Sequence, residues 1–144
     1  MARKPYSGIT ELYKASLHRM ADAEVLFAGR RWRGAMYVAG YAVECRLKYK
    51  LMRQWKCFNL EELGARLVGR GVVETVFTHN LEALIQICGG WNRLRANDDM
   101  WRAYGVVSSW QPAWRYNADL ASHRDARRLL AAAQQVLEWI ENNL

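Results

Sequence analysis

The chain has only two prolines, Pro5 and Pro112, so long stretches are left free for helices. It has three cysteines, Cys45, Cys57 and Cys88, far apart and with no CxxC pair. An odd, scattered set leaves no disulfide framework and fits reduced thiols of a cytoplasmic protein, used as small apolar residues. The three histidines have no companions at metal-ligand spacing, so neither a metal nor another cofactor is expected. No P-loop, GxGxxG, GxSxG or HExxH pattern occurs, which removes the common phosphate-cradling, acyl-transfer and zinc-hydrolase motifs. No apolar run approaches the roughly 20 residues of a membrane span. No apolar stretch follows Arg3 and Lys4, so no signal peptide is expected.

What is present is a chain of 144 residues, read as one domain over 1–144, whose 51% hydrophobic content suffices for a real core. The chain is organised around Ala35–Met52, AMYVAGYAVECRLKYKLM. Met36, Gly40, Val43, Leu47 and Leu51 form one stripe at helical spacing, and Val38, Ala42, Cys45, Tyr49 and Met52 form a second. A helix apolar on nearly every side belongs in the middle of a bundle. Small residues, Ala35, Ala39, Gly40 and Ala42, allow neighbours to approach closely. Tyr37, Tyr41, Glu44 and Lys48 share a third face. Glu44 is a carboxylate in an otherwise buried segment, and a charge removed from water needs a partner.

The net charge of +7 is uneven. Arg30, Arg31, Arg33, Arg46, Lys48, Lys50, Arg53 and Lys56 are opposed within their stretch by Glu44 alone. Such a zone suits nucleotide or RNA contact. Cations at a helix end also complement the macrodipole and keep a surface soluble.

Before the central helix, Ser7 or Thr10 is expected to cap a first helix running to about Phe27, with Ile9, Leu12, Tyr13, Leu17, Met20, Ala21, Leu26 and Phe27 inward and His18 outward. The short Gly29-Arg30-Arg31 turn makes the first two helices antiparallel neighbours. Asn59, with Glu62 three residues later, marks a short third helix ended by Gly69–Gly71. Val72–Phe77 reads as a linker or helical turn. Thr78–Leu81 opens a helix with Leu81, Leu84, Ile85 and Cys88 inward, ended by Gly89-Gly90. Asn97-Asp98 caps another through Trp101, Tyr104, Val107 and Trp110. Asn117 or Asp119 is expected to cap a final helix with the seam Leu120, Ala126, Leu130, Ala133, Leu137, Ile140 and Leu144. These elements predict an all-α, up-and-down bundle with short helices inserted in its second half. Trp91, Trp101, Trp110 and Trp114 are expected in the core or at a subunit interface.

The polar residues in apolar settings are the candidate site: Tyr37, Tyr41, Glu44 and Lys48 on the central helix, His79 at a helix start, and Arg115 between two aromatics. A bundle can bring Glu44 to Arg115 or to His79. Such a network serves either to fix helix register or to line a ligand pocket.

The segment Ala35–Cys45, AMYVAGYAVEC, resembles the signature of HEPN-domain proteins, small helical proteins of prokaryotes. His79-Asn80-Leu81 is similar to the family's His-Asp-Leu, with Asn for Asp, and Trp114-Arg115-Tyr116 before a last amphipathic helix fits in order. The resemblance implies a bundle of four to five helices that commonly forms a homodimer. It also implies a nucleotide-binding or accessory module working with a minimal nucleotidyltransferase partner in a toxin–antitoxin arrangement, with Tyr37, Tyr41, Glu44, Lys48, His79 and Arg115 as ligand-binding residues. Other members are metal-independent ribonucleases, which would use His79 or His123 as general acid or base and Arg115 to stabilise phosphorane charge. Those members carry an Arg, four to six residues and a His. Here eight residues separate Arg70 from His79 and seven separate Arg115 from His123, so the pattern is absent. A non-catalytic interaction scaffold is the plainest alternative.

Overall fold

The computed structural model describes residues 8–72 and 76–144. Among them are seven α-helices and no strand. The long helices are α1 (Ile9–Ala28), α2 (Trp32–Gln54) and α7 (His123–Asn143). Between α2 and α7 lie α3 (Leu60–Gly69), α4 (Leu81–Ile87), α5 (Trp91–Ala96), α6 (Asp98–Val107) and a 3₁₀ helix, Pro112–Tyr116. No described helix is long and apolar enough to cross a membrane.

Helix α2 is the hub, as its all-round apolarity predicts. It packs against α1, α7, α4, α3 and the 3₁₀ helix, while α6 lies on α7. Ala35, Ala39, Ala42, Val43, Leu47, Leu51 and Met52 are fully buried. Each buried Leu contributes about 1.5–3 kcal/mol. The α1–α2 turn is as short as expected and closes with Arg30 in the left-handed region (φ 61°). Of the expected α7 seam, Ala126, Leu130, Ala133 and Ile140 are buried and Leu137 and Leu144 are half-buried.

Several boundaries differ, each for a local reason. Helix α2 extends beyond Ala35–Met52 at both ends, because Trp32 and Arg53 continue the hydrogen-bonded ladder without a breaker. Gly8 precedes α1 with no side-chain cap; Thr10 lies inside the helix and Ser7 lies outside the described residues. Asn59 caps α3, its side chain accepting from Glu62 N at 2.8 Å, while the Glu62 carboxylate reaches back to Phe58 N at 3.0 Å. The reading of Val72–Phe77 falls partly outside the described residues, at 73–75. Asn97 caps α6 as expected, but the short α5 before it carries too few residues to show a period. Neither Asn117 nor Asp119 caps α7. Their side chains accept from Asp119 N and Ala121 N in successive turns, Ser122 caps the helix, and Leu120 is left 53% exposed outside the seam.

The basic zone around α2 is only partly a surface: Arg30, Arg31, Arg53 and Lys56 are exposed and Arg33 is half-buried. Arg46, Lys48 and Lys50 are buried. Arg46 donates to Ser16 Oγ at 2.9 Å and to Glu141 at 2.8 Å, and its guanidinium covers the Tyr13 ring. Lys50 Nζ donates to the Glu141 carbonyl at 3.1 Å. These cations tie α2 to α1 and α7, and no buried side-chain polar atom among the described residues lacks a partner.

Burial also sets the thiols. It pushes Cys45 up to about 11 and Cys88 up to about 12, and raises Cys57. A raised thiol pKa means less thiolate at a given pH. At pH 8 Cys45 is therefore expected to alkylate with iodoacetamide about 100-fold more slowly in the native protein than in denaturant. Mass spectrometry of timed samples measures the ratio; equal rates would remove the burial argument.

Candidate functional site

Helical periodicity alone places Tyr37, Tyr41, Glu44 and Lys48 along one face of α2. The tertiary fold supplies what faces them. Glu44 is 5% exposed and its carboxylate is held at both oxygens. One oxygen lies 2.6 Å from His79 Nδ1, and the other accepts from Lys48 Nζ at 3.2 Å. Asn80 stands immediately after His79 and caps α4, accepting from Ala83 N at 3.1 Å. The cap seats the turn that points His79 at α2, and Asn serves there as well as Asp would.

A carboxylate only accepts, so the 2.6 Å contact assigns a proton to His79 Nδ1. The outer nitrogen, Nε2, is left for other partners. The His79 side chain is 51% exposed, in contrast to the buried Glu44 and Lys48. A cleft of about 510 Å³ opens beside it, lined among others by Thr78, Asn80, Tyr104, Ser108 and Gln111. The Tyr41 ring meets the imidazole edge-on at 6.0 Å. Tyr41 in turn packs edge-on against Tyr37, with hydroxyls 3.4 Å apart. Burial, then the Tyr37 hydrogen bond and the Tyr37 and Glu44 charges, push the Tyr41 phenol up to about 12, with the Arg115 charge opposing. Tyr41 therefore stays a neutral hydroxyl through the physiological range.

Arg115 does not reach Glu44. It lies on the 3₁₀ helix with its guanidinium 4.8 Å from the Tyr116 ring centroid. Interaction with the Tyr116 hydroxyl, and then with that of Tyr37, pushes its pKa further up. Of the two partners expected for Glu44, the fold selects His79, and Arg115 sits at the tyrosine end of the same face.

His123 is far from this arrangement. Its ring packs against Phe27 at 5.1 Å and Trp32 at 5.0 Å at the start of α7. Arg115 and His123 belong to different elements, separated by the turns of Asn117–Ser122, so they do not share a helix face. Among the described residues no His, Cys, Asp and Glu group is arranged to hold a metal.

Trp110, expected from sequence in the core or at a subunit interface, belongs to the site. Its ring lies over Gly40, where an added Cβ would sit 2.1 Å from Cδ1. Its Nε1 donates to the Tyr37 carbonyl at 2.9 Å, and its ring meets Tyr41 edge-on at 4.9 Å. The signal for it is Gly40 itself, a glycine inside the buried central helix, where a close approach by a neighbour offsets the lost helix propensity. The other tryptophans divide. Trp91, Trp101 and Tyr104 form a cluster with centroids 5.4–5.8 Å apart, Arg33 covers Trp114, and Trp101 remains 40% exposed. No family model, curated protein or solved structure was found to match this chain.

Proposed function

We propose that the chain is a HEPN-like, homodimeric module that binds a nucleotide and works with a minimal nucleotidyltransferase partner. The observation that carries the binding site is His79. It is braced by a buried carboxylate on one nitrogen, hydrogen-bonded on the other to no described residue, and set beside a cleft. A braced imidazole has lost its rotational freedom before a ligand arrives, so a contact to Nε2 carries little ordering cost. Arg115, exposed and edged by Tyr37 and Tyr116, offers a planar fork of donors suited to phosphate. The partner and the homodimer come from the resemblance of Ala35–Cys45 to the family signature.

The test is calorimetry of ATP, GTP and short RNA with the purified protein in EDTA, followed by product analysis of the same samples. Saturable nucleotide binding without products is expected. His79→Ala and Arg115→Ala should each weaken it about tenfold or more, the loss of one charge-assisted contact. Absence of nucleotide binding by the wild-type protein would overturn the reading.

One observation favours a second reading, a metal-independent ribonuclease. A carboxylate-oriented histidine is the arrangement a general base needs. On this reading RNA products appear in EDTA, and the Glu44 contact favours His79 over His123 for the role, so cleavage is lost in His79→Ala and survives in His123→Ala.

A further inference from the structure

An open groove of about 1030 Å³ lies between α6 and α7 and shares no lining residue with the His79 cleft. Met36, Ala103, Leu129 and Ala132 form a buried apolar floor, and half-buried Met100 and Val106 line its α6 side. The residues around it are small or adaptable. Gly105 on α6 has open space where a Cβ would stand, and Ala131 and Ala132 follow one another on α7. Small residues let another helix come close, and methionine adapts to its surface.

The charges say what kind of helix. The α6 wall carries Asp99 and Arg102, and the α7 wall carries Asp125 and Arg128. Each wall thus holds one acid and one base three residues apart, on one face of its helix. Asp99 and Arg102 are 86% and 81% exposed on their side chains, and their own contact is a loose 3.9 Å. Asp125 and Arg128 form no ion pair with a described residue. An Asp–Arg pair at this spacing is complementary to its own copy. When two identical helices pack antiparallel about a two-fold axis, residue i faces residue j of the partner and j faces i. Both acids then meet bases, twice over. A groove made for a basic or an acidic partner would instead carry one sign.

We infer that this groove is the surface on which a second copy of the chain docks, α6 against α6 in antiparallel register, with Asp99 of one protomer opposite Arg102 of the other. The inference rests on the homodimeric part of the proposed function and names the interface it leaves open. The His79 cleft takes Tyr104 of α6 and Ser108 just past its end, neither of which lines this groove, so docking here leaves that cleft clear.

Sedimentation equilibrium of charge variants tests it. Asp99→Arg makes the α6 wall basic, and Arg102→Asp makes it acidic. Both positions are exposed, so both proteins fold. Each variant alone should self-associate at least tenfold more weakly than wild type, because every facing pair becomes like-charged. Mixed in equal amounts they should form a heterodimer, and the double variant D99R/R102D should regain the wild-type dimer. Dimers indifferent to all three changes would overturn the interface and leave the homodimer standing elsewhere on the molecule. A wild-type monomer at all concentrations would overturn both.

Discussion

Glu44→Ala is expected to cost about 3–5 kcal/mol of stability, because it leaves the buried Lys48 ammonium without its counter-ion. The Lys48 side chain is 7% exposed, so water cannot replace the lost carboxylate. The same pair need not be the source of that stability. Removing two buried charges together and filling their space with apolar atoms is often neutral or favourable. The double variant Glu44→Leu with Lys48→Met is therefore expected to unfold within about 1 kcal/mol of wild type. It would also have lost the brace on His79. Urea denaturation of the three proteins measures the stabilities, and nucleotide titration of the double variant reads the site separately from the fold. A Glu44→Ala protein as stable as wild type would mean that Lys48 finds water or another acceptor. A double variant that still binds nucleotide as tightly would remove the brace from the account of the site.

Gly40→Ala is expected to destabilise the protein by about 2–3 kcal/mol, and Gly40→Val by more. Helix propensity alone predicts the reverse, since alanine in a helix interior is favoured over glycine by about 1 kcal/mol. The deciding fact is the Trp110 ring, whose Cδ1, Cγ and Nε1 lie 2.1–2.2 Å from where the new Cβ would stand. These atoms sit at the base of a rigid side chain, so the ring must move as a body. Moving it breaks the hydrogen bond from Nε1 to the Tyr37 carbonyl, worth about 1 kcal/mol, and disturbs the edge contact on Tyr41. Gly105 provides the control. It lies in α6 with nothing within 4 Å of its added Cβ, so Gly105→Ala should gain about 0.5–1 kcal/mol. Urea melts followed by tryptophan fluorescence give all three values. A Gly40→Ala protein that gained as much as Gly105→Ala would show that Trp110 is not seated on α2.

Both results bear on how the site is built. The polar face of α2 is held by the Glu44–His79 hydrogen bond and by Trp110, and both His79 and Trp110 also line the cleft. The His79 side chain is half exposed, yet its removal takes a 2.6 Å partner from the buried Glu44, so urea melts accompany the His79→Ala titration.

Much of this could be read along the chain. The helices follow from apolar spacing and from caps such as Asn59, Asn80 and Asn97, which act within three or four residues of themselves. The common face of Tyr37, Tyr41, Glu44 and Lys48 is likewise a local fact, because a helix of 3.6 residues per turn puts them there whatever surrounds it. That Glu44 needs a partner follows from its apolar neighbours alone.

Which partner it takes is decided only in three dimensions. His79 reaches Glu44 from 35 residues away, and Arg115 stops at the tyrosines, because the α4 cap and the 3₁₀ helix orient their side chains. Nothing local distinguishes Arg46, Lys48 and Lys50, which turn inward to Ser16, Glu44 and Glu141, from Arg53, which stays at the surface. The start of α7 is not fixed locally, because Asn117, Asp119 and Ser122 are all competent caps, and the chain uses the first two for turns. Periodicity determines which residues share a helix face. The packing of helices distant in sequence determines which charges are buried, which meet, and which are left open to a ligand.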